Sequence, residues 1–199
     1  NPYLFATDVT NNNTQTRITG NVNAFYKIAK NLEIQTRIGG NVTFNNTERY
    51  FPKETTAAGR RLNGYAQIIK TDAKNFAFEN LLHYKNKWNK HNFKAMIGYT
   101  LEKGSRNVLN IENQGFVYDN TGVFDIGVGT DLLPPNNFVI ENALSSFLSR
   151  VNYNYKGKYF LTFTARADGS SKFPSGNKYA FFPSGSIAWN VHKEKFLAN

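Results

Sequence analysis

Apolar and polar side chains alternate along this chain in runs too long for an ordinary soluble sheet. In residues 17 to 28, Ile18, Gly20, Val22, Ala24, Tyr26 and Ile28 share one parity. Arg17, Thr19, Asn21, Asn23 and Lys27 share the other, with Phe25 as the exception. After a short turn at Ala29-Lys30-Asn31, Leu32, Ile34, Ile38, Val42 and Phe44 alternate with Glu33, Gln35, Arg37, Asn41 and Thr43. Successive side chains of a strand point to opposite faces, so a strict period of two predicts β-strand. Two such runs about a short turn predict a hairpin. The unit recurs. Phe76, Phe78, Leu82, Tyr84 and Trp88, a turn at Asn89 to Asn92, then Phe93, Ala95, Ile97, Tyr99 and Leu101 make a second hairpin. Ala143, Phe147, Val151, Tyr153 and Tyr155, a turn at Lys156-Gly157-Lys158, then Tyr159, Leu161, Phe163, Ala165 and Ala167 make a third. A seventh run, at about 179 to 191, carries Tyr179, Phe181, Ile187, Trp189 and Val191.

Length separates a membrane sheet from a soluble one. These runs span roughly 9 to 13 residues, where globular strands average about 5 to 6 and membrane-barrel strands need about 9 to 11. Short turns near 30, 90 and 157 alternate with long polar connections at about 45 to 75, 102 to 142 and 168 to 178. All short turns therefore fall at one end of the sheet, the layout of an outer-membrane barrel with short periplasmic turns and long extracellular loops. By that rule residues 1 to 14 start on the extracellular side, and His192-Lys193-Glu194-Lys195 begins a periplasmic turn. Aromatics gather toward strand ends, at Tyr26, Phe44, Trp88, Phe93, Tyr155, Tyr159, Tyr179 and Trp189, as interfacial girdles do. The polar face keeps charge at mid-strand in Arg37, Glu79, His83 and Arg150, which suits a wet or protein-filled lumen.

Composition narrows the function classes. The 199 residues contain no cysteine, which removes disulfides and thiolate metal sites and points toward a bacterial chain. No apolar run reaches the length of about 18 residues that a membrane helix needs. The chain opens on Asn1-Pro2-Tyr3, without the basic start and apolar core of a signal peptide. A net charge of +10 would fit nucleic acid, but nothing resembles a recognition helix or an RNP strand, so no nucleic-acid partner is expected. Lys27, Lys30, Lys85, Lys87, Lys90, Lys94, Lys156, Lys158, Lys193 and Lys195 gather at the short-turn end. Attraction to anionic lipid headgroups, or pairing with an acidic plug, explains that placement. His83, His91 and His192 lack metal-ligand spacing, and no nucleophile elbow is present, so neither a catalytic residue, a metal nor a cofactor is expected. Asn12-Asn13-Thr14, Asn41-Val42-Thr43 and Asn45-Asn46-Thr47 have the form of glycosylation sequons, read here as chance in an Asn-rich bacterial chain. In the long loops, Phe116, Tyr118, Phe124 and Phe138 are candidates for substrate contact by stacking.

Three segments carry a family resemblance. They are Ser145 to Tyr155, Lys158 to Phe173 with Arg166, Asp168, Gly169, Ser170, Ser171 and Phe173, and Phe182-Pro183-Ser184-Gly-Ser-Ile-Ala-Trp189. They resemble the barrel repeat of the SusC/RagA-type TonB-linked outer-membrane transporters, in which a strand ending R-x-D-G-S-S-R-F precedes one reading F-P-S-x-S-x-x-W. Lys172 stands where that pattern has Arg. The motifs cover about residues 143 to 197, and the rest matches in pattern. Asp168-Gly-Ser-Ser-Lys172 lacks P-loop spacing and is read as a loop leaving a strand, with Gly169 supplying turn geometry and Asp168 and the serines bonding backbone.

The resemblance implies an all-β fold: part of an antiparallel up-and-down transmembrane barrel, about seven strands of a larger plugged barrel of roughly 22. Residues 1–199 would then be one piece of a barrel domain, with the plug, the TonB-contacting N-terminal segment and the closing strands lying outside it. It further implies TonB-dependent import of a bulky nutrient, an oligosaccharide or a peptide, with a SusD-like surface lipoprotein at the extracellular mouth and no enzymatic activity. The competing reading is a soluble extracellular β-sandwich acting as a carbohydrate-binding or adhesin module. A glycoside hydrolase would need carboxylates paired at a defined separation, which Asp119, Asp125, Asp131 and Glu141 do not establish.

Overall fold

The computed structural model describes residues 8–194 and 196–197. Expectations for residues 1 to 7 and for Lys195 lie outside the described residues. In chain order the elements are β1 (Thr10–Ala29), β2 (Leu32–Phe51), α1 (Ala57–Leu62), β3 (Tyr65–Trp88), β4 (His91–Gln114), a 3-10 segment (Gly122–Val128), β5 (Asp131–Leu132), β6 (Asn136–Tyr155), β7 (Tyr159–Ser170), β8 (Tyr179–Trp189) and a last 3-10 turn (Val191–Lys193). The sheet order is β1-β2-β3-β4-β6-β7-β8, with β5 paired to β4. Each long strand thus neighbours the next in sequence, the up-and-down topology expected from the hairpins.

The seven expected strands are present, and the two-residue β5 adds an eighth. Their lengths differ from expectation. β1, β2 and β6 run 20 residues, and β3 and β4 run 24. Stretches 45–51, 65–75, 102–114 and 136–142, expected as loop, are strand. The reason is physical. A period of two in hydropathy needs one face in lipid or core and the other in water. Where both faces carry polar groups the ladder continues, but the pattern that reveals it fades. The turn at Lys156-Gly157-Lys158 falls where it was expected. Lys156 and Gly157 have left-handed φ of 56° and 65°, and Lys158 N donates to Tyr155 O at 3.0 Å, inside a three-residue connection between the paired Tyr155 and Tyr159.

The chain divides into two compact units, with residues of β1 to β4 and β6 in both. The first holds the described residues of Asn1–Thr19, Asn41–Lys74 and Ser105–Glu141. It has its own core of Tyr50, Ala66, Phe116 and Val123, with Ile126 packed against it. The Tyr50 and Phe116 rings meet edge to face at 5.4 Å. The Tyr50 hydroxyl donates to Asp119 Oδ1 at 2.7 Å; burial first, and then this carboxylate, push its pKa well up. Asn113, fully buried, ties the β4–β5 connection to the sheet: its Nδ2 donates to the carbonyls of Ile126 and Gly129 at 2.7 and 3.0 Å. Helix α1 starts on Thr56, whose Oγ1 accepts from Gly59 N at 2.8 Å, and ends on left-handed Asn63.

The second unit, the described residues of Gly20–Gly40, Asn75–Gly104 and Asn142–Asn199, is built on the opposite plan. Among the described residues it has no buried large apolar side chain. Its apolar parity stands exposed instead, as at Val22 (70%), Ile97, Phe147, Phe163 and Ile187 (83%). At its turn end Glu194 is a three-way acceptor, from Lys158 Nζ at 2.8 Å, Tyr159 Oη at 2.8 Å and Trp189 Nε1 at 3.2 Å. The Lys158 bond first, and then those of Tyr159 and Trp189, hold its pKa at about 2, below the ordinary 4.5. Because the folded value is depressed, the stabilisation is present above pH 4.5 and is lost as pH falls toward 2. Acid titration followed by tryptophan fluorescence should show this end of β7 and β8 loosening in that window, and Glu194→Gln should flatten the transition.

Candidate functional site

The four aromatic candidates do not form one site. Phe116 is fully buried in the core of the first unit, with no ring face open for stacking. Tyr118 and Phe124, the latter 95% exposed, lie in the β4–β5 connection. Phe138, also exposed, belongs to β6 and not to a loop.

The first unit carries a different constellation. Tyr50, Ala66 and Asn113 face the β4–β5 connection, which covers that side of the sheet. Alternation turns their neighbours Arg49, Gln67 and Glu112 to the other side. There a row of hydrogen bonds crosses four strands. Arg49 Nε donates to Asn11 Oδ1 at 3.3 Å, and its Nη1 donates to Gln67 Oε1 at 3.2 Å. Gln67 Nε2 donates to Asn110 Oδ1 at 3.2 Å and to Glu112 Oε1 at 2.9 Å. Beside the row, Phe51 and Tyr65 stack with ring centroids 6.1 Å apart and planes 23° from parallel. Burial, then the Glu112 carboxylate, raise the Tyr65 pKa to about 12, so its hydroxyl is a donor throughout the physiological range. The guanidinium and the carboxylate compensate each other through Gln67. The surface therefore offers an aromatic face and oriented planar polar groups with little net charge. It can orient a polar ligand.

Sequence reasoning missed this row because Arg49 and Gln67 fall in a stretch assigned to loop, and Glu112 in another. A signal was available: counting outward from the turns at 30 and 90 places Asn11 opposite Arg49 and Gln67 near Asn110 and Glu112.

On the same parity in the second unit, the mid-strand charges expected for a lumen are in part paired. Arg37 Nη1 lies 3.3 Å from Glu79 Oε1, and Arg37 Nε donates to Asn23 Oδ1 at 2.7 Å. Exposed pairs of this kind contribute little stability, about 0–1 kcal/mol. A small cavity of about 180 Å³ opens beside them, with Thr100 and Glu102 on its far wall.

The motif residues of β7 and β8 make their contacts within the sheet and its turns. Arg166 Nε donates to Asp168 Oδ1 at 2.6 Å, and its Nη2 donates to the Oγ of fully buried Ser146 at 3.3 Å. Asp168 thus bonds side chains, not the expected backbone. Gly169 is not a turn residue: it lies in β7, opposite Tyr179. The Tyr179 ring crosses its Cα, and a Cβ there would sit 2.5 Å from Tyr179 Cε1. Ser170 and Ser171 do bond backbone. Ser170 Oγ accepts from Lys172 N at 3.2 Å, and Ser171 Oγ accepts from Ala143 N at 2.8 Å. Phe173 N closes the turn on Ser170 O at 3.3 Å. In β8, Phe182, Pro183 and Ser184 stand opposite Arg166, Ala165 and Thr164, and Trp189 stands opposite Tyr159. Ser170 N bonds Lys178 O and Asn190 N bonds Lys158 O. The alternation of the ladder between those bonds puts Pro183 in a non-hydrogen-bonded pair, so its missing N–H costs the β7–β8 ladder nothing. Gly169→Ala should therefore destabilise by about 1–3 kcal/mol through displacement of the Tyr179 ring, measurable as a lowered urea midpoint of the folded barrel in detergent.

No family model matches the chain. In sequence it is similar to the TonB-dependent receptor P3 of Formosa agariphila, with 36% identity over 198 residues, which are 99% of this chain and 20% of that protein. It is also similar to the TonB-dependent receptor SusC of Bacteroides thetaiotaomicron, with 40% identity over 60 residues, 30% of this chain and 6% of that one. Its fold is similar to a chain in the structure of the RagAB peptide transporter, with a TM-score of 0.87 and 25% identity, covering 100% of this chain and 22% of that one. The unliganded ferric citrate transporter FecA shares the fold alone, with a TM-score of 0.54 and 6% identity over 89% of this chain and 24% of that one. The chain thus spans about a fifth of the length of the first of these relatives.

Proposed function

We infer, from a chain homologous to the TonB-dependent receptors of the SusC/RagA type, a part in active nutrient import across a bacterial outer membrane. The whole receptor would draw energy from TonB through a plug and would work with a SusD-like surface lipoprotein. This chain supplies wall strands and parts of the extracellular structure. One observation carries the reading: in the second unit the apolar parity of the sheet is exposed and the opposite parity is polar. A soluble sandwich, the competing reading, buries its apolar parity against a second sheet. Lipid is the environment in which this pattern is stable.

The uncovered face of the first unit is where this chain would meet cargo. The Phe51–Tyr65 pair and the Arg49–Gln67–Glu112 row suit a bulky polar substrate, an oligosaccharide or a peptide, with exposed Tyr118 and Phe124 as further contacts. Uptake by cells carrying the full-length receptor should require TonB. Arg49→Ala combined with Tyr65→Ala should lower uptake by about 10-fold or more while receptor abundance in the outer membrane stays unchanged. TonB-independent uptake, or a receptor recovered as a soluble protein, would contradict the reading.

A further inference from the structure

At the short-turn end of the second unit, five rings form an unbroken row across the sheet. Trp88 stacks on His91 at 5.6 Å, His91 meets Tyr155 at 4.8 Å, Tyr155 meets Tyr159 at 6.4 Å, and Tyr159 stacks on Trp189 at 6.3 Å. All five lie on the apolar parity, and His91 is fixed in place by the Tyr153 hydroxyl, 2.6 Å from its Nδ1. Aromatic rings of this kind settle at headgroup level.

Three lysines belong to the turns beside this row. Lys156 N donates to Lys90 O at 2.7 Å, which sets those two turn residues side by side. Lys156 Nζ stands 5.0 Å over the Tyr155 ring. Lys193 Nζ reaches Gly157, within 3.4 Å of where a Cβ would be. None of the three belongs to an ion pair among the described residues. The nearby acid, Glu194, is already held by Lys158, Tyr159 and Trp189. Glu33, near the start of β2, is on a strand two places away from β4. The turn end therefore presents uncompensated positive charge next to an aromatic row that continues into an exposed apolar face. An anion with apolar chains satisfies all three features at once, and a free phosphate satisfies only the first.

We propose that the turns at Lys90 and Lys156–Gly157, with Lys193, bind the headgroup of an anionic phospholipid in the inner leaflet of the membrane, its acyl chains lying along the face below the aromatic row. The site rests on the membrane reading above and goes beyond it. Each lysine near an anionic surface strengthens binding about 5-fold, so the three together give about 100-fold.

The test titrates detergent-solubilised full-length receptor with phosphatidylglycerol, phosphatidylethanolamine or glycerol 1-phosphate and follows thermal unfolding. Phosphatidylglycerol should raise the melting temperature, and the other two at equal concentration should not. The triple variant Lys90→Gln, Lys156→Gln, Lys193→Gln should lose about 100-fold in apparent affinity for phosphatidylglycerol, with unchanged melting in phosphatidylethanolamine. The triple Lys→Arg variant should keep the affinity. Equal stabilisation by phosphatidylethanolamine, an unaltered affinity in the Gln variant, or a full effect from glycerol 1-phosphate would each overturn the lipid site and leave the import reading standing. A receptor that stays folded and monodisperse without detergent would overturn both.

Discussion

Phe163→Arg in the full-length receptor should destabilise the barrel by about 2–4 kcal/mol, the depth-dependent cost of a cation on the lipid face near the midplane. Phe163 sits midway along β7, opposite Val151 and Gly185, on the exposed apolar parity. The companion change Ser186→Arg places the same charge on β8 at the other parity, opposite Thr162, where water or protein meets the wall. It should leave assembly intact. Urea unfolding in lipid vesicles compares the two directly, and a difference below about 1 kcal/mol would mean that neither face is in lipid.

Phe116→Ala should cost about 3–5 kcal/mol, the range for emptying a large aromatic from a core. Phe116 fills the centre of the first unit, edge to face with Tyr50, and its backbone N donates to Asn63 O at 2.8 Å. The loss should be local. Limited proteolysis should cut the β4–β5 connection, around 115 to 130, in the variant and spare the strands of the second unit. Were Phe116 a substrate contact instead, its truncation would reduce binding and leave the protease pattern unchanged.

The contrast between Phe163 and Phe116 shows what the sequence made legible. Strands in the second unit could be read because lipid and lumen impose opposite chemistry on successive residues, as in Tyr159, Leu161 and Phe163 against Thr162, Thr164 and Arg166. In the first unit, Arg49, Tyr50 and Phe51 of β2 run without a contrast of faces: one face meets a covering connection and the other a row of hydrogen bonds. Period alone cannot detect a strand whose two faces are both partly polar. Gly169 illustrates a second limit. A glycine beside serines reads as a turn, yet what fixes it is the Tyr179 ring on the next strand, a contact set by register. Phe116 illustrates a third: an aromatic in a long connection reads as available, and only the partner side chains decide whether it is buried.

Whether one face of this sheet lies in lipid is directly measurable, because the 199 residues contain no cysteine. Single cysteines placed in turn at residues 160 to 165 of β7, in the full-length receptor freed of other accessible thiols, would carry a nitroxide label. Spin relaxation by oxygen, which concentrates in the bilayer, would then be compared with relaxation by a water-soluble nickel complex. A lipid-facing parity gives a period of two, with labels at 161, 163 and 165 relaxed by oxygen and labels at 160, 162 and 164 relaxed less by it. Uniform accessibility along the strand, or nickel accessibility on the Leu161 and Phe163 parity, would contradict it.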